Sequence, residues 1–238
     1  MTPTGSGAFV ADSRRQCVPR RLPALLTLGG SAAVIAVTAW LATAAGAEQA
    51  QTGLVKWFNH PPQPVAAVFA AVNPLFRPIP LTLLSVAFLG WVLLTAGGAS
   101  MRLEIVRALV IALALAELVA QVMKDLANQP RPLAVIAGLD THGYPVEPHG
   151  NAYPSAHTAL FVGAACALWP WMRWPQRIIG VAIALLVACN RIYIGAHWPV
   201  DVVGGFAIGM FAGAITWLVA TRWPIHPAAP SQLDLGQP

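Results

Sequence analysis

The sequence predicts an all-α fold, a bundle of six transmembrane helices, and its composition is the first observation behind this prediction. Of the 238 residues, 57% are hydrophobic and only 10% are charged, whereas a soluble domain has about 25% charged residues. So few charged side chains would not cover the surface of a water-soluble protein of this length. The second observation is that the apolar residues form long runs, and a helix needs a run of about 20 residues to cross a bilayer.

Six such runs follow one another along the chain. The first is longer than the apolar core of about 7–15 residues in a cleavable signal peptide, so we interpret it as an uncleaved span. The second apolar run follows a mixed segment, 46–80, whose lysine, tryptophan and prolines predict an interfacial loop. Within that segment, we expect residues 65–72 to lie on the bilayer or to dip into it. The six predicted spans are 22–45, 81–96, 103–123, 156–171, 178–193 and 200–220.

The distribution of arginine predicts the orientation of these spans. Six spans place both termini on one side, and the positive-inside rule makes the arginine-rich side cytoplasmic. The arginines of that side are Arg14, Arg15, Arg20, Arg21, Arg102, Arg173, Arg177 and Arg222. The loops 124–155 and 192–199 then lie on the extracytoplasmic side. We therefore predict a cytoplasmic polar N-terminus at 1–21, a six-span domain at 22–222 and a disordered cytoplasmic tail at 223–238.

Charge and cysteine content argue against several other classes of protein. The net charge is +5, but the arginines stand singly or in pairs beside apolar runs, so we predict no nucleic-acid partner. The three cysteines show no spacing typical of a zinc or redox site. Short loops and an Ala- and Arg-rich composition favour a bacterial plasma membrane protein with several spans.

The first polar cluster at a predicted outward end contains Lys124 and Arg131. Lys124 ends the third span, and Arg131 lies between Pro130 and Pro132. A lone lysine at this depth commonly only extends to the interface. Two cations on a short tether suit a doubly charged phosphate, because arginine donates several hydrogen bonds in a plane and lysine supplies a point charge.

The second cluster, Ser155, Ala156 and His157, opens the fourth span. Ser155 is a typical N-cap residue, which by itself requires no function. The free amides and the positive dipole end of this helix would nevertheless form an anion site. His157 lies in the first turn of that helix, where an isolated histidine is more often an interface residue than a catalyst.

The third cluster contains Arg191, His197 and Asp201. His197 precedes the sixth span, and its spacing of four residues lets the Asp201 carboxylate reach the imidazole. Such a carboxylate fixes the tautomer of histidine and leaves the other ring nitrogen basic. The alternative is an aspartate that only caps the helix. Together the three clusters predict a phosphate-binding site with two histidines and no metal.

The motifs Lys124-x6-Arg131-Pro132, Pro154-Ser155-Ala156-His157 and Arg191-x5-His197-x3-Asp201 resemble the three-part signature of the type 2 phosphatidic acid phosphatase superfamily. The resemblance implies a lipid phosphatase without cofactors, in which His197 attacks phosphorus and forms a phosphohistidine while Asp201 orients it. His157 would protonate the leaving group and then help to activate water. The implied phosphate ligands are Lys124, Arg131, Ser155, the amide of Ala156 and Arg191.

Two residues depart from the pattern of that family. Ala156 replaces a glycine, which matters only if the position needs a positive φ. Asn190 replaces the serine before the arginine of the third motif, and it can still donate a hydrogen bond. Neither departure removes a predicted nucleophile, acid or cation.

The implied substrates are phosphatidate, a phosphatidylglycerol phosphate or a polyprenyl diphosphate, and the partners are membrane lipids. The alternatives are a lipid phosphotransferase and a non-catalytic protein that binds or transports lipid head groups. Pure binding needs cations but no nucleophile, so the two histidines argue against the last alternative. Oligomerisation is possible and is not predicted.

Three further features lie outside the motifs. Glu117 lies inside the third span, and we interpret it as a structural residue that pairs with Gln121 or with a residue of another helix, with a functional role as the alternative. Gly205, Gly209 and Gly213 predict a close-packing seam, either within the bundle or between subunits, and we favour the bundle. We interpret His142 and His149 as loop residues, because their spacing matches no metal motif.

Overall fold

The structure is a computed structural model that describes residues 21–220. Of the predicted N-terminal segment 1–21, only Arg21 is described, and it begins the first helix. The predicted tail 223–238 lies outside the described residues, as do four of the arginines used to predict the orientation: Arg14, Arg15, Arg20 and Arg222.

The described part of the chain is helical and contains no strand. Its regular elements are nine α-helices and one 3-10 turn, with a single isolated bridge between Pro130 and Asn151. In chain order they are α1 Arg21–Thr43, α2 Ala47–Asn59, α3 Val65–Val72, the 3-10 turn Asn73–Phe76, α4 Pro78–Thr95, α5 Ala99–Ala127, α6 Pro132–Val135, α7 Ala156–Leu168, α8 Trp174–Tyr193 and α9 Pro199–Ala220.

Five of these helices, α1, α4, α5, α8 and α9, are long and apolar enough to cross a membrane. They correspond to five of the six predicted spans. The remaining predicted span, 156–171, is the shorter helix α7 of 13 residues. At about 1.5 Å per residue it extends for about 20 Å, less than the hydrocarbon core of about 30 Å. The helix ends shortly before Pro170, which has no backbone N–H with which to continue the helical hydrogen bonds.

The segment predicted as an interfacial loop differs from that prediction. Residues Ala47–Asn59 form helix α2, because the prolines that suggested a loop all follow this stretch. The helix buries Val55 and Asn59, and Gln51 Oε1 accepts a hydrogen bond of 2.9 Å from the backbone amide of Val200. Helix α2 therefore contributes a cap to the first turn of α9.

Helix α9 lies at the centre of the bundle and packs against α7, α1 and α5. Its glycines permit the close approach to α7. A Cβ atom on Gly209 would lie 2.7 Å from the carbonyl oxygen of Ala159 and 2.7 Å from the amide nitrogen of Gly163. A Cβ atom on Gly213 would lie 2.5 Å from Cβ of Cys166. The predicted glycine seam is confirmed, and it lies within the bundle.

Four helix ends meet on one side of this bundle: the ends of α5 and α8 and the beginnings of α7 and α9. Hydrogen bonds join them directly. The amide of Ser155 donates to the carbonyl of Asp201 at 3.0 Å, and the side chain of Asn151 donates to the carbonyl of Lys124 at 3.1 Å. The three polar clusters of the sequence therefore lie side by side.

Candidate active site

A cavity of about 470 Å³ opens among these four helix ends. Six of the eight predicted site residues line it: Lys124, Arg131, Ala156, His157, Arg191 and His197. The other two, Ser155 and Asp201, are fully buried and do not line the cavity. The cavity thus combines three cationic side chains with two histidines.

The backbone around Arg131 is fixed by contacts with two other loops. Trp198 donates its indole N–H to the carbonyl of Pro130 at 2.8 Å, and the amide of Ala152 donates to the carbonyl of Gln129 at 2.7 Å. Gly150 lies against the guanidinium, since a Cβ atom there would be 3.2 Å from Nη2 of Arg131. Burial lowers the pKa of Arg131, but a guanidinium remains charged at physiological pH.

Helix α7 begins at the cavity with Ser155 as its N-cap. The Ser155 hydroxyl accepts a hydrogen bond from the amide of Thr158 at 3.4 Å and from the hydroxyl of Thr158 at 3.0 Å. Ala156 is helical and is not among the described residues with positive φ. The alanine that replaces the family's glycine is therefore unstrained, and the first amides of α7 are available to an anion.

His157 follows Ala156 in the first turn of α7 and lines the cavity. It is the more accessible of the two histidines, since His197 is only 4% exposed. An accessible imidazole can exchange protons with a bound group and with water, whereas a buried one is held in a single orientation.

Arg191 is held by contacts that the sequence did not predict. Its Nη2 donates to Oδ1 of Asn190 at 2.7 Å, and Nδ2 of Asn190 donates to Oδ1 of Asn73 at 2.8 Å. The guanidinium carbon lies 4.4 Å from the ring centroid of Tyr144. Asn73 begins the 3-10 turn and Tyr144 lies in an irregular loop, and no spacing pattern in the sequence identified either residue.

His197 and Asp201 approach each other at the beginning of α9. Nδ1 of His197 lies 3.4 Å from Oδ2 of Asp201, and the same oxygen accepts the amide of Trp198 at 2.7 Å. The carboxylate therefore caps the helix and also faces the imidazole. The amide of His197 also donates to the carbonyl of Arg191 at 3.2 Å.

Burial lowers the pKa of His197 well below its ordinary value of 6.5, and the charges of Arg131, His157, Arg191 and Lys124 lower it further. The imidazole is consequently neutral at physiological pH. A neutral imidazole retains a lone pair on one ring nitrogen, which a nucleophile requires.

The other polar residues considered in the sequence analysis either line the cavity or lie outside it. The amide of Gln121 donates to the carboxylate of Glu117, which confirms the predicted pair, and both residues line the cavity. The ring of His142 stacks on Tyr193 with centroids 4.0 Å apart and does not line the cavity. His149 is exposed in the same loop. Among residues 21–220, no group of three or more His, Cys, Asp or Glu side chains could hold a metal.

Comparison with known proteins identifies relatives in sequence and in structure. A family model described as the PAP2 superfamily matches residues 105–224, just over half of the chain. An undecaprenyl-diphosphatase of Sulfolobus acidocaldarius is 30% identical over 118 residues, which are 49% of this chain and 56% of that protein. The chain thus matches somewhat more than half the length of this curated relative.

Two solved structures are similar in fold. The crystal structure of Aquifex aeolicus LpxE has a TM-score of 0.54 and 27% identity, and the match covers 69% of this chain and 92% of that chain. A transmembrane PAP2-type phosphatidylglycerolphosphate phosphatase from Bacillus subtilis has a TM-score of 0.61 and 17% identity, covering 84% of this chain and 99% of that chain.

Proposed function

The chain belongs to the PAP2 superfamily, and from this premise we propose that it is an integral-membrane phosphatase that hydrolyses a lipid phosphate monoester or diphosphate. The observation that carries the proposal is the cavity that Lys124, Arg131 and Arg191 line together with His157 and His197. Phosphoryl transfer depends mainly on positioning and on positive charge around the equatorial oxygens. The substrates we propose are phosphatidate, phosphatidylglycerol phosphate and polyprenyl diphosphate.

The proposed reaction has two steps. Nε2 of His197 attacks phosphorus, the bond from phosphorus to the leaving oxygen breaks, and His157 gives that oxygen a proton. Water then attacks the phosphohistidine, His157 accepts a proton from the water, and the bond from Nε2 to phosphorus breaks as inorganic phosphate leaves. The 3.4 Å approach of Asp201 to Nδ1 supports this assignment, because it leaves Nε2 as the nucleophilic atom.

The proposed phosphate ligands are the three cations, the amide of Ala156 and Ser155. The cations and Ala156 line the cavity, whereas the Ser155 hydroxyl is buried beneath the first turn of α7 and contacts Thr158. We therefore expect Ser155 to act mainly by holding that turn, and a direct contact with phosphate stays a prediction.

We also propose the topology that the arginine distribution predicts. The six spans are α1, α4, α5, α7, α8 and α9, with α7 extended to the membrane boundary by the turn at 169–171. Both termini are cytoplasmic, and the cavity faces the extracytoplasmic side of a bacterial plasma membrane. The domain limits remain those of the sequence prediction, with the phosphatase domain at 22–222.

Phosphate release from purified protein tests the proposed activity. We expect release from at least one of the three lipids in the presence of EDTA, because the cations take the place of a metal. His197→Ala should lower the rate by at least about a thousandfold. His149→Ala, which changes an exposed histidine outside the cavity, is the matched control. Full activity of His197→Ala would refute the mechanism.

Two further measurements separate the alternatives. Labelled phosphate that appears in lipid rather than in solution would indicate a phosphotransferase. Vanadate should inhibit a phosphatase, because it adopts the trigonal-bipyramidal geometry of the transition state. If vanadate had no effect and no lipid phosphate were hydrolysed, the protein would be a non-catalytic binder of lipid head groups.

A further inference from the structure

The cavity extends along α5 beyond the three cations. Lys124, Gln121 and Glu117 all line it and lie on one face of this helix. Glu117 lies seven positions before Lys124, a rise of about 10 Å along the helix. The cavity therefore has a cationic end at the helix termini and a carboxylate at its other end.

The carboxylate of Glu117 forms no ion pair with a cation in the described part of the chain. Its hydrogen-bond donor there is the amide of Gln121, which carries no charge. Glu117 is half-buried and Gln121 is exposed on a helix long and apolar enough to span a membrane. An acid within a membrane-spanning helix is costly and commonly marks a site of function.

The chemistry of this pair limits what can bind next to it. A carboxylate only accepts hydrogen bonds, and its free oxygen is open to a hydroxyl or ammonium group. A phosphate at the same place would be repelled. The neighbouring cavity wall includes Leu160 and Pro78, which suit the apolar part of a lipid.

We propose that Glu117 and Gln121 form a second subsite of the cavity, which binds a hydroxyl or ammonium group of the lipid close to the scissile phosphate. This inference rests on the proposed function, because it assumes that the scissile phosphate of the lipid lies at the cationic end of the cavity. The subsite selects glycerol- or sugar-based lipid monophosphates with a free donor group. It disfavours lipids whose second phosphate adds negative charge within the field of the Glu117 carboxylate, such as polyprenyl diphosphates.

Two pairs of lipid probes test the two expected preferences, one for a hydroxyl beside the phosphate and one against a second phosphate. Lysophosphatidate and its 2-deoxy analogue differ only in one hydroxyl beside the phosphate. Farnesyl phosphate and farnesyl diphosphate differ only in the second phosphate. For the wild type, we expect a higher kcat/KM for lysophosphatidate within the first pair and for farnesyl phosphate within the second.

The variant Glu117→Gln removes the charge and keeps an acceptor oxygen. We expect it to raise the relative kcat/KM for farnesyl diphosphate by about tenfold, the effect of unit charges about 10 Å apart at an effective dielectric constant of about 20. Glu117→Ala should in addition abolish the preference for the hydroxyl. The matched control is Glu104→Gln, which neutralises another half-buried glutamate of α5 that does not line the cavity.

Binding measured on a His197→Ala background separates this inference from the proposed activity. The same four probes should show the same order of affinity there, and Glu117→Gln should change the Kd ratio within the farnesyl pair without turnover. If the wild type released no phosphate from any probe but the Kd ratios changed as expected, the proposed phosphatase activity would be refuted and the proposed subsite would be supported. Ratios that are identical in Glu117→Gln and Glu104→Gln would overturn the subsite, whatever the activity.

Discussion

Nδ1 of His197 lies 3.4 Å from Oδ2 of Asp201, and this carboxylate oxygen also accepts the backbone amide of Trp198. The contact between carboxylate and imidazole is thus built into the cap of helix α9. Because the cap fixes the carboxylate, the imidazole that faces it is also fixed in orientation.

We expect Asp201→Asn to lower kcat by roughly 10²–10⁴-fold while the fold is retained. One oxygen of Asp201 serves both Trp198 and His197. Asparagine must therefore either keep its oxygen there and lose the negative charge, or turn its NH₂ group to Nδ1, which favours the wrong tautomer of His197 and leaves the Trp198 amide without its acceptor. Phosphate release and thermal unfolding in detergent would be measured together. A variant that is folded and keeps its full kcat would contradict this role for Asp201.

The seam between α7 and α9 gives a prediction about stability. Gly209→Ala would place a Cβ atom 2.7 Å from backbone atoms of α7. Because these atoms cannot move independently of the helix, we expect a loss of about 1–3 kcal/mol in the free energy of unfolding. Gly90→Ala is the control, since nothing lies within 4 Å of a Cβ atom there. Equal effects of the two substitutions in denaturant unfolding would rule out the close-packed seam.

The long helices and the composition of the site could be predicted from the sequence for the same reason. An apolar run of sufficient length has few alternatives to a transmembrane helix, and the motifs lie where such runs end. Consecutive spans cross the membrane in opposite directions, so the end of one span and the beginning of the next lie on the same side. Lys124, His157 and His197 were therefore expected to lie together on one side of the membrane. Their common cavity agrees with that expectation.

Other features depended on contacts that a single sequence does not reveal. Helix α2 is only moderately apolar, and its place is set by Val55 and Asn59 in the core. The early end of α7 left a helix shorter than the apolar run suggested. Asn190, which supports Arg191, is itself held by Asn73, a residue 117 positions away in the chain. Such long-range polar pairs carry no local periodicity.

The pH dependence of activity should reflect the low pKa of His197. The neutral imidazole is the nucleophile, so its protonation causes activity to fall at acid pH, and this fall should lie well below pH 6.5. Neighbouring cations disfavour the imidazolium, and removing one therefore raises the pKa. For Arg131→Gln we expect the acid limb of kcat/KM to move to higher pH. An unchanged limb, measured with the same substrate for both proteins, would contradict this coupling.

Asn190 is expected to position Arg191 through its buried hydrogen bonds. Asn190→Ala removes the acceptor for Nη2 of Arg191 and the link to Asn73. A hydrogen bond to a charged group contributes about 1.5–3 kcal/mol, so kcat/KM should fall by about 10- to 100-fold. Asn190→Ser should lose less, because a hydroxyl can still accept. The control is Thr95→Val, which breaks the hydrogen bond of 2.9 Å from Gln176 away from the cavity. If Thr95→Val lowered kcat/KM as much as Asn190→Ala at equal thermal stability, the assignment of Asn190 as a positioning residue would be wrong.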